Sequence, residues 1–150
     1  MSKLKYLLDV NVLIALTEEA HVHHRAATEW FDTPGLNWGL CAFSEAGFLR
    51  LTAHSKVGRI TVAEASAVLA ALTNHRGYRF WPISSGWAAL AAPFHERVFG
   101  HQQITDAYLL GLAIKENGVL VTTDKAIKFL AGAQYSKNVL VLESGSVSNA

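Results

Sequence analysis

What this sequence lacks narrows it first. Its single cysteine, Cys41, cannot close a disulfide within the chain, so the fold must stand on packing alone, as in a reducing compartment. Charged residues are scarce, 17% against 51% hydrophobic, which excludes a disordered chain. Long apolar runs are missing too: stretches such as Trp87 to Phe94 fall far short of the ~20 residues of a spanning helix. The opening MSKLKYLLDVNVLIAL has the look of a secretory leader, but Asp9 and Asn11 interrupt it and no small-residue cleavage site follows. A soluble, cytoplasmic protein with no membrane association is expected. No glycine-rich phosphate or dinucleotide signature occurs, and no linker, repeat or low-complexity segment divides the chain. A chain of 150 residues buries roughly 68–70% of the surface its unfolded form exposes. One domain over 1–150 is therefore expected, with the Ser- and Gly-rich end, Glu143 to Ala150, frayed.

What is present alternates. Leu4 to Leu8 is a short apolar run that predicts a buried strand, and Asn11 to about Glu18 a helix. His24 to Phe31 has helical spacing and stops at Pro34–Gly35. A strand over Leu36 to Ala42 and a helix from Phe43 to about His54 follow. Thr61, with Glu64 three residues on, predicts a capping box for the next helix, which ends by Gly77. Arg79 to Ile83 is expected to be a strand, and Trp87 to about Arg97 a helix that Pro93 kinks or interrupts. After a loop at Gly100 to Gln103 comes the most apolar helix, Ile104 to Asn117, stopped by Gly118. Val119 to Val121, Asp124 to Leu130 and Asn138 to Leu142 complete the series as strand, helix and strand. Such alternation predicts a parallel sheet covered by helices.

The acids stand in the wrong places for a surface. Asp9 and Asp124 each fall at or just past the C-terminal end of a predicted strand, where open parallel sheets bind ligands. Asp106 shares a helix face with Leu109 and Leu110, and Glu45 with Phe48 and Leu49. A carboxylate on a core-facing stripe is costly unless paired or metal-bound, and clustered carboxylates raise one another's pKa. A hard divalent cation, Mg²⁺ or Mn²⁺, would relieve both penalties. Each acid taken singly also fits a helix cap or a dipole role. The net charge of +1 hides an asymmetry: with four acids gathered in one pocket, 13 Lys and Arg face eight remaining acids, a balance that would attract phosphates.

On these residues the chain resembles the PIN-domain family, and more closely the VapC-type toxins of bacterial toxin–antitoxin pairs. The matching segments are LLDVNVLIAL at 7–16, FSEAGFLR at 43–50, ITDAYLLGLA at 104–113 and LVTTDKAI at 120–127, in the family's order and across nearly the whole chain. The resemblance implies a three-layer α/β/α fold with a five-stranded parallel sheet of order 3-2-1-4-5. It implies catalytic and metal-binding roles for Asp9, Glu45, Asp106 and Asp124, with supporting roles for Asn11 and Thr122. Lys125, Ala126 and Ile127 depart from the family pattern, so no fifth acidic ligand follows Asp124.

The expected activity is a Mg²⁺- or Mn²⁺-dependent endoribonuclease acting on structured RNA of the tRNA or rRNA class and leaving a 5′-phosphate. Asp9 and Asp106 would hold the main ion, Asp124 would bind through water or help a second ion, and Glu45 would orient the attacking water. The resemblance also implies a cognate antitoxin over the active-site groove and a homodimer. Arg50, Arg97, His95 and His101 are candidate RNA contacts, each with an ordinary solvated reading beside it. His21, His23 and His24 raise a zinc reading, but no cysteine or second histidine cluster accompanies them, and packing at a helix entry is expected instead. The tryptophans are expected to fill the core, Trp38 and Trp81 from strands. Two other classes remain open: the same fold as a catalytically weak RNA- or protein-binding module, and a small phosphatase. The phosphatase needs a second Asp where this chain has Asn11.

Overall fold

The computed structural model describes residues 4–54 and 60–144. The end of the tail, 145–150, lies outside them. The strands are β1 (Tyr6–Leu8), β2 (Trp38–Leu40), β3 (Tyr78–Phe80), β4 (Val119–Thr122) and β5 (Val139–Val141). All pair in parallel in the order β3-β2-β1-β4-β5, as the resemblance implied. The α-helices are α1 (Val10–Thr17), α2 (His24–Phe31), α3 (Ala42–Thr52), α4 (Val62–Thr73), α5 (Trp87–Ala91), α6 (Ile104–Lys115) and α7 (Ala126–Ala131). No described helix is long and apolar enough to cross a membrane.

The period of two along each strand divides the core. Leu7 and Leu120 point to one face, where they pack with Phe94, Leu109, Leu110 and Ile127 under α6 and α7. Leu8 and Val121 point to the other, where Val12, Leu13, Trp38, Leu40 and Phe48 join them under α1 and α3. Two buried faces make three layers, and explain why β1 and β4 read as continuous apolar runs.

The boundaries differ from expectation where proline intervenes. β3 ends at Phe80 because Pro82 has no N–H to continue the ladder; the Trp81 N–H makes the last bond, to the Leu40 carbonyl at 2.8 Å. α5 stops at Ala91, since Pro93 cannot donate within a helix and its ring clashes with the preceding turn. The Gly100–Gln103 segment contains a 3₁₀ turn over His101–Gln103. α4 carries the expected capping box: Glu64 N–H donates to Thr61 Oγ1 at 3.0 Å, and Thr61 N–H to Glu64 Oε1 at 2.9 Å.

The end of α6 corrects a detail. Asn117, not Gly118, takes the left-handed conformation, with φ 57°. Gly118 is small for another reason: a Cβ there would stand 2.7 Å from the Trp81 ring and 2.8 Å from the Lys5 carbonyl. Gly39 on β2 is crowded by the same ring, so the Trp81 indole lies against two bare backbones at the N-terminal end of the sheet.

Candidate active site

β1 and β4 are neighbours at the point where strand order reverses, with Leu8 opposite Val121. The chain leaves β1 and turns at once into α1, capped by Asp9: its Oδ1 accepts from the Val10 N–H at 2.7 Å. Asp9 is only 6% exposed. Its other oxygen, Oδ2, accepts from Thr122 Oγ1 at 2.8 Å and from Asn11 Nδ2 at 3.3 Å. Asn11 bridges the two strand ends, since Nδ2 also donates to Thr122 Oγ1 (3.2 Å) and Oδ1 accepts from the Thr123 N–H (3.0 Å). The Thr122 hydroxyl, fully buried, completes the mesh by accepting from the Asp124 N–H at 3.1 Å. Asp9 is thus oriented by donors while Thr122 fixes the turn that carries Asp124.

Asp124 is exposed at this rim, and its Oδ1 accepts from the Ala126 N–H at 2.9 Å, the capping role open to it from sequence. Asp106 stands half-buried in the first turn of α6, with no hydrogen-bond donor to its carboxylate among the described residues. Burial, then the charges of Asp9 and Asp124, push the Asp106 carboxyl up to about 7. Asp9 is also raised, chiefly by burial and further by Asp124, against the lowering effect of its bonds from Thr122, Val10 and Asn11. Three acids therefore act on one another, and none of them has an ion-pair partner among the described residues. The nearest cation in sequence, Lys125, turns to Glu143 at 3.2 Å, a solvent-exposed pair of little energetic weight.

Glu45 is placed differently. It lies half-buried in the first turn of α3, whose N-terminus opens at the same end of the sheet. Its charge does not figure among those acting on Asp9 or Asp106; it acts on the Tyr78 hydroxyl, which burial and then Glu45 and Cys41 push up. Ser44 beside it is a buried residue that the sequence reading passed over. Its hydroxyl donates to the Leu8 carbonyl at 2.7 Å and so pins α3 to the strand end that carries Asp9. A serine inside a helix gives no signal of a partner 36 residues away.

Of the other candidates, Arg97, His21 and His24 make contacts of their own. Arg97 donates through Nε to the Leu130 carbonyl (2.8 Å) and through Nη2 to that of Ala131 (3.1 Å), so it caps α7 rather than facing open solvent. Arg50 is exposed in the last turn of α3, where a cation suits the helix dipole. His95 and His101 are exposed in the 3₁₀ turns before α6. A ring nitrogen of His24 lies 2.7 Å from the Ala15 carbonyl, and His21 Nδ1 accepts from the His23 N–H at 3.1 Å, contacts that pack the entry to α2.

The donor set suits a hard divalent cation: three carboxylates share one rim, one has no donor, and their repulsion lacks a counter-charge. Among the described residues, no three acidic, His or Cys side chains converge closely enough to grip an ion as they stand. Binding one would require movement of side chains, for which the exposed Asp124 and the unbonded Asp106 have freedom and Asp9 has none.

The mesh can be tested without touching an acid. Thr122→Val keeps the shape but removes the hydroxyl that serves Asp9, Asn11 and Asp124. Affinity for a divalent cation should fall about 10–100-fold, and stability by about 1–3 kcal/mol, read by calorimetric Mg²⁺ titration and urea denaturation. An unchanged protein would show that the mesh is not needed.

Fold and site together define an α/β protein with an acidic centre at the switch point of its sheet. Comparison with known sequences agrees: the PIN domain family model matches residues 6–133. Ribonuclease VapC39 of Mycobacterium tuberculosis is 39% identical over 130 residues, covering 85% of this chain and 94% of that protein. Ribonuclease VapC38 of the same organism is 39% identical over 128 residues, covering 83% and 89%. Among solved structures, VapBC2 from Rickettsia felis bound to a DNA fragment from their promoter superimposes with a TM-score of 0.61 at 15% identity, covering 94% of this chain and 99% of that one. PAE2754 from Pyrobaculum aerophilum gives 0.59 at 18%, covering 93% and 84%. The chain belongs to the PIN-domain family, and within it to the VapC group.

Proposed function

We propose that this chain is a metal-dependent endoribonuclease that cuts structured RNA of the tRNA or rRNA class, acting as the toxin of a toxin–antitoxin pair. The observation that carries the reading is the mutual charge of Asp9, Asp106 and Asp124 at the switch point. It is supported by relatives, 39% identical, that are named ribonucleases. Asp9, Asp106 and Asp124 would hold the cation. Mg²⁺ or Mn²⁺ bound there would acidify a water and polarise a phosphoryl oxygen. Asn11 and Thr122 hold Asp9 in its rotamer so that it meets its ligand already oriented. Glu45, on the adjacent helix end, would position the attacking water.

The Rickettsia felis neighbour was solved as a VapBC pair. By extension a cognate antitoxin would lie over this chain's acidic rim and bring a basic side chain to the carboxylates, with two toxin chains pairing as a homodimer.

The direct test is cleavage of pooled tRNA and rRNA with Mg²⁺ or Mn²⁺, with EDTA and Asp9→Asn as controls. Discrete fragments bearing 5′-phosphates and lost in both controls are the expected result. No cleavage by folded, antitoxin-free protein with either metal would favour a binding module instead. Glu45→Gln should be milder than Asp9→Asn, about 10²-fold in turnover, because Glu45 is assigned to the attacking water rather than to the cation. A loss as deep as that of Asp9→Asn would place Glu45 among the metal ligands.

A further inference from the structure

A cavity lies at the opposite end of the sheet from the carboxylates. It has a volume of about 790 Å³ and is walled by the start of β1, the α2–β2 loop, the α4–β3 loop and β3. Lys5 and Asp9 bracket β1, so the two sites are roughly 13 Å apart along the strand. Open parallel sheets bind ligands at the other end, so nothing in the fold type calls for a site here, and its lining has to speak for itself.

Three cations line it, Lys5, Arg76 and Arg79, against one carboxylate, Asp32. Lys5 has a partner: its Nζ is 3.5 Å from Glu116, with both side chains over 40% exposed, and it lies over the Trp81 ring. Arg79 gives one bond, from Nη1 to the Tyr78 carbonyl at 3.2 Å. Neither Arg76 nor Arg79 has an ion pair among the described residues. Stability alone gives little reason to bring these guanidinium groups to one cavity, since like charges repel and the one carboxylate in the lining, Asp32, pairs with neither of them. His75 is committed: its Nδ1 accepts from Trp38 Nε1 (3.1 Å) and from the Gly77 N–H (3.2 Å), which fixes the loop carrying Arg76. Trp81, packed over Gly39 and Gly118, gives the cavity an apolar wall.

We propose that this cavity binds a nucleotide phosphate. Guanidinium forks match a phosphate's oxygens in pairs, which favours phosphate over a lone carboxylate. The volume lies in the range of small-ligand sites and is far larger than an inorganic ion needs. The Trp81 indole, 7% exposed and overlain by Lys5, supplies an apolar wall beside the cations rather than a free stacking face. The ligand is either a free nucleotide or a nucleotide of an RNA strand, and the two share this chemistry. The proposal does not rest on the nuclease reading, because no residue is common to the two sites.

The test is a ¹H–¹⁵N NMR titration of the full chain with inorganic phosphate, a nucleoside 5′-monophosphate, a 2′-O-methylated RNA oligonucleotide that resists cleavage, and an acidic peptide. Saturable shifts at Lys5, Arg76, Arg79 and the Trp81 indole with the nucleotide or the RNA are expected. They should weaken about 10-fold or more in Arg76→Ala/Arg79→Ala. Both positions are exposed, so the fold should survive, and unchanged shifts elsewhere check this. Shifts with the mononucleotide that the oligonucleotide does not compete away identify a free nucleotide. Shifts driven by the oligonucleotide identify bound RNA. The inference is overturned if phosphate, nucleotide and RNA leave these signals unmoved, if the shifts persist undiminished in the double variant, or if the acidic peptide alone produces them.

Discussion

Asp106→Asn should abolish RNA cleavage and yet make the metal-free protein more stable at about pH 8. The physical reason is the unbonded state of this carboxylate. It is half-buried, accepts no hydrogen bond from the described residues, and stands in the field of Asp9 and Asp124, so its ionisation in the fold waits until about pH 7. In the unfolded chain the same group ionises near 3.8. Between those values the folded state holds more protons than the unfolded one, so stability declines as pH rises from about 4 to about 7 and then levels. The amide removes that cost. Allowing for solvent screening of a partly exposed group, the gain is on the order of 1–2 kcal/mol, or about 2–8 °C in melting temperature. Added Mg²⁺ should reverse the order, because only the wild type can use it fully. Activity should fall by at least about 10³-fold. Thermal melts in EDTA across this pH range decide the matter: a variant no more stable than wild type would mean that Asp106 is not strained by its neighbours.

Asp9→Asn should cost as much activity but move stability the other way. Asp9 accepts on both oxygens, from Val10, Asn11 and Thr122. An amide in its place presents an NH₂ to one of these donors whichever way it is turned. Thr122 cannot adapt by accepting, since its oxygen already takes bonds from Asn11 and Asp124. A buried donor facing a donor costs about 1–3 kcal/mol, even as a buried charge is removed. The pair of substitutions thus separates two kinds of acid at one site, and equal shifts in melting temperature would refute the distinction.

Much of this was legible before any coordinates. Asp9 and Asp124 could be placed because a carboxylate that follows a short apolar run marks the end of a buried strand. The register of β1 on β4 then brings them to one rim. Asn11 and Thr122 came through family resemblance, and the structure gives the reason for them: each satisfies a strand end as well as an acid. The bonds of Arg97 were not legible, because an Arg near an active-site loop offers no sign that helix carbonyls 33 and 34 residues away will accept from it. Ser44 was passed over for the same reason.

The sequence by itself determined the class of fold, the alternation of strand and helix, and which acids stand beside buried elements. These depend on local periodicity and on burial, and both are written along the chain. Tertiary structure alone decided that, among the described residues, Asp106 goes without a donor while Asp9 has three, that the Glu45 charge bears on the Tyr78 hydroxyl, and that Lys5, Arg76 and Arg79 meet at one cavity. Those outcomes depend on which residues the parallel register sets side by side, Tyr6 by Trp38 and Trp38 by Tyr78. Pairing of that kind is fixed by packing across the sheet, over separations at which no pattern in the chain survives.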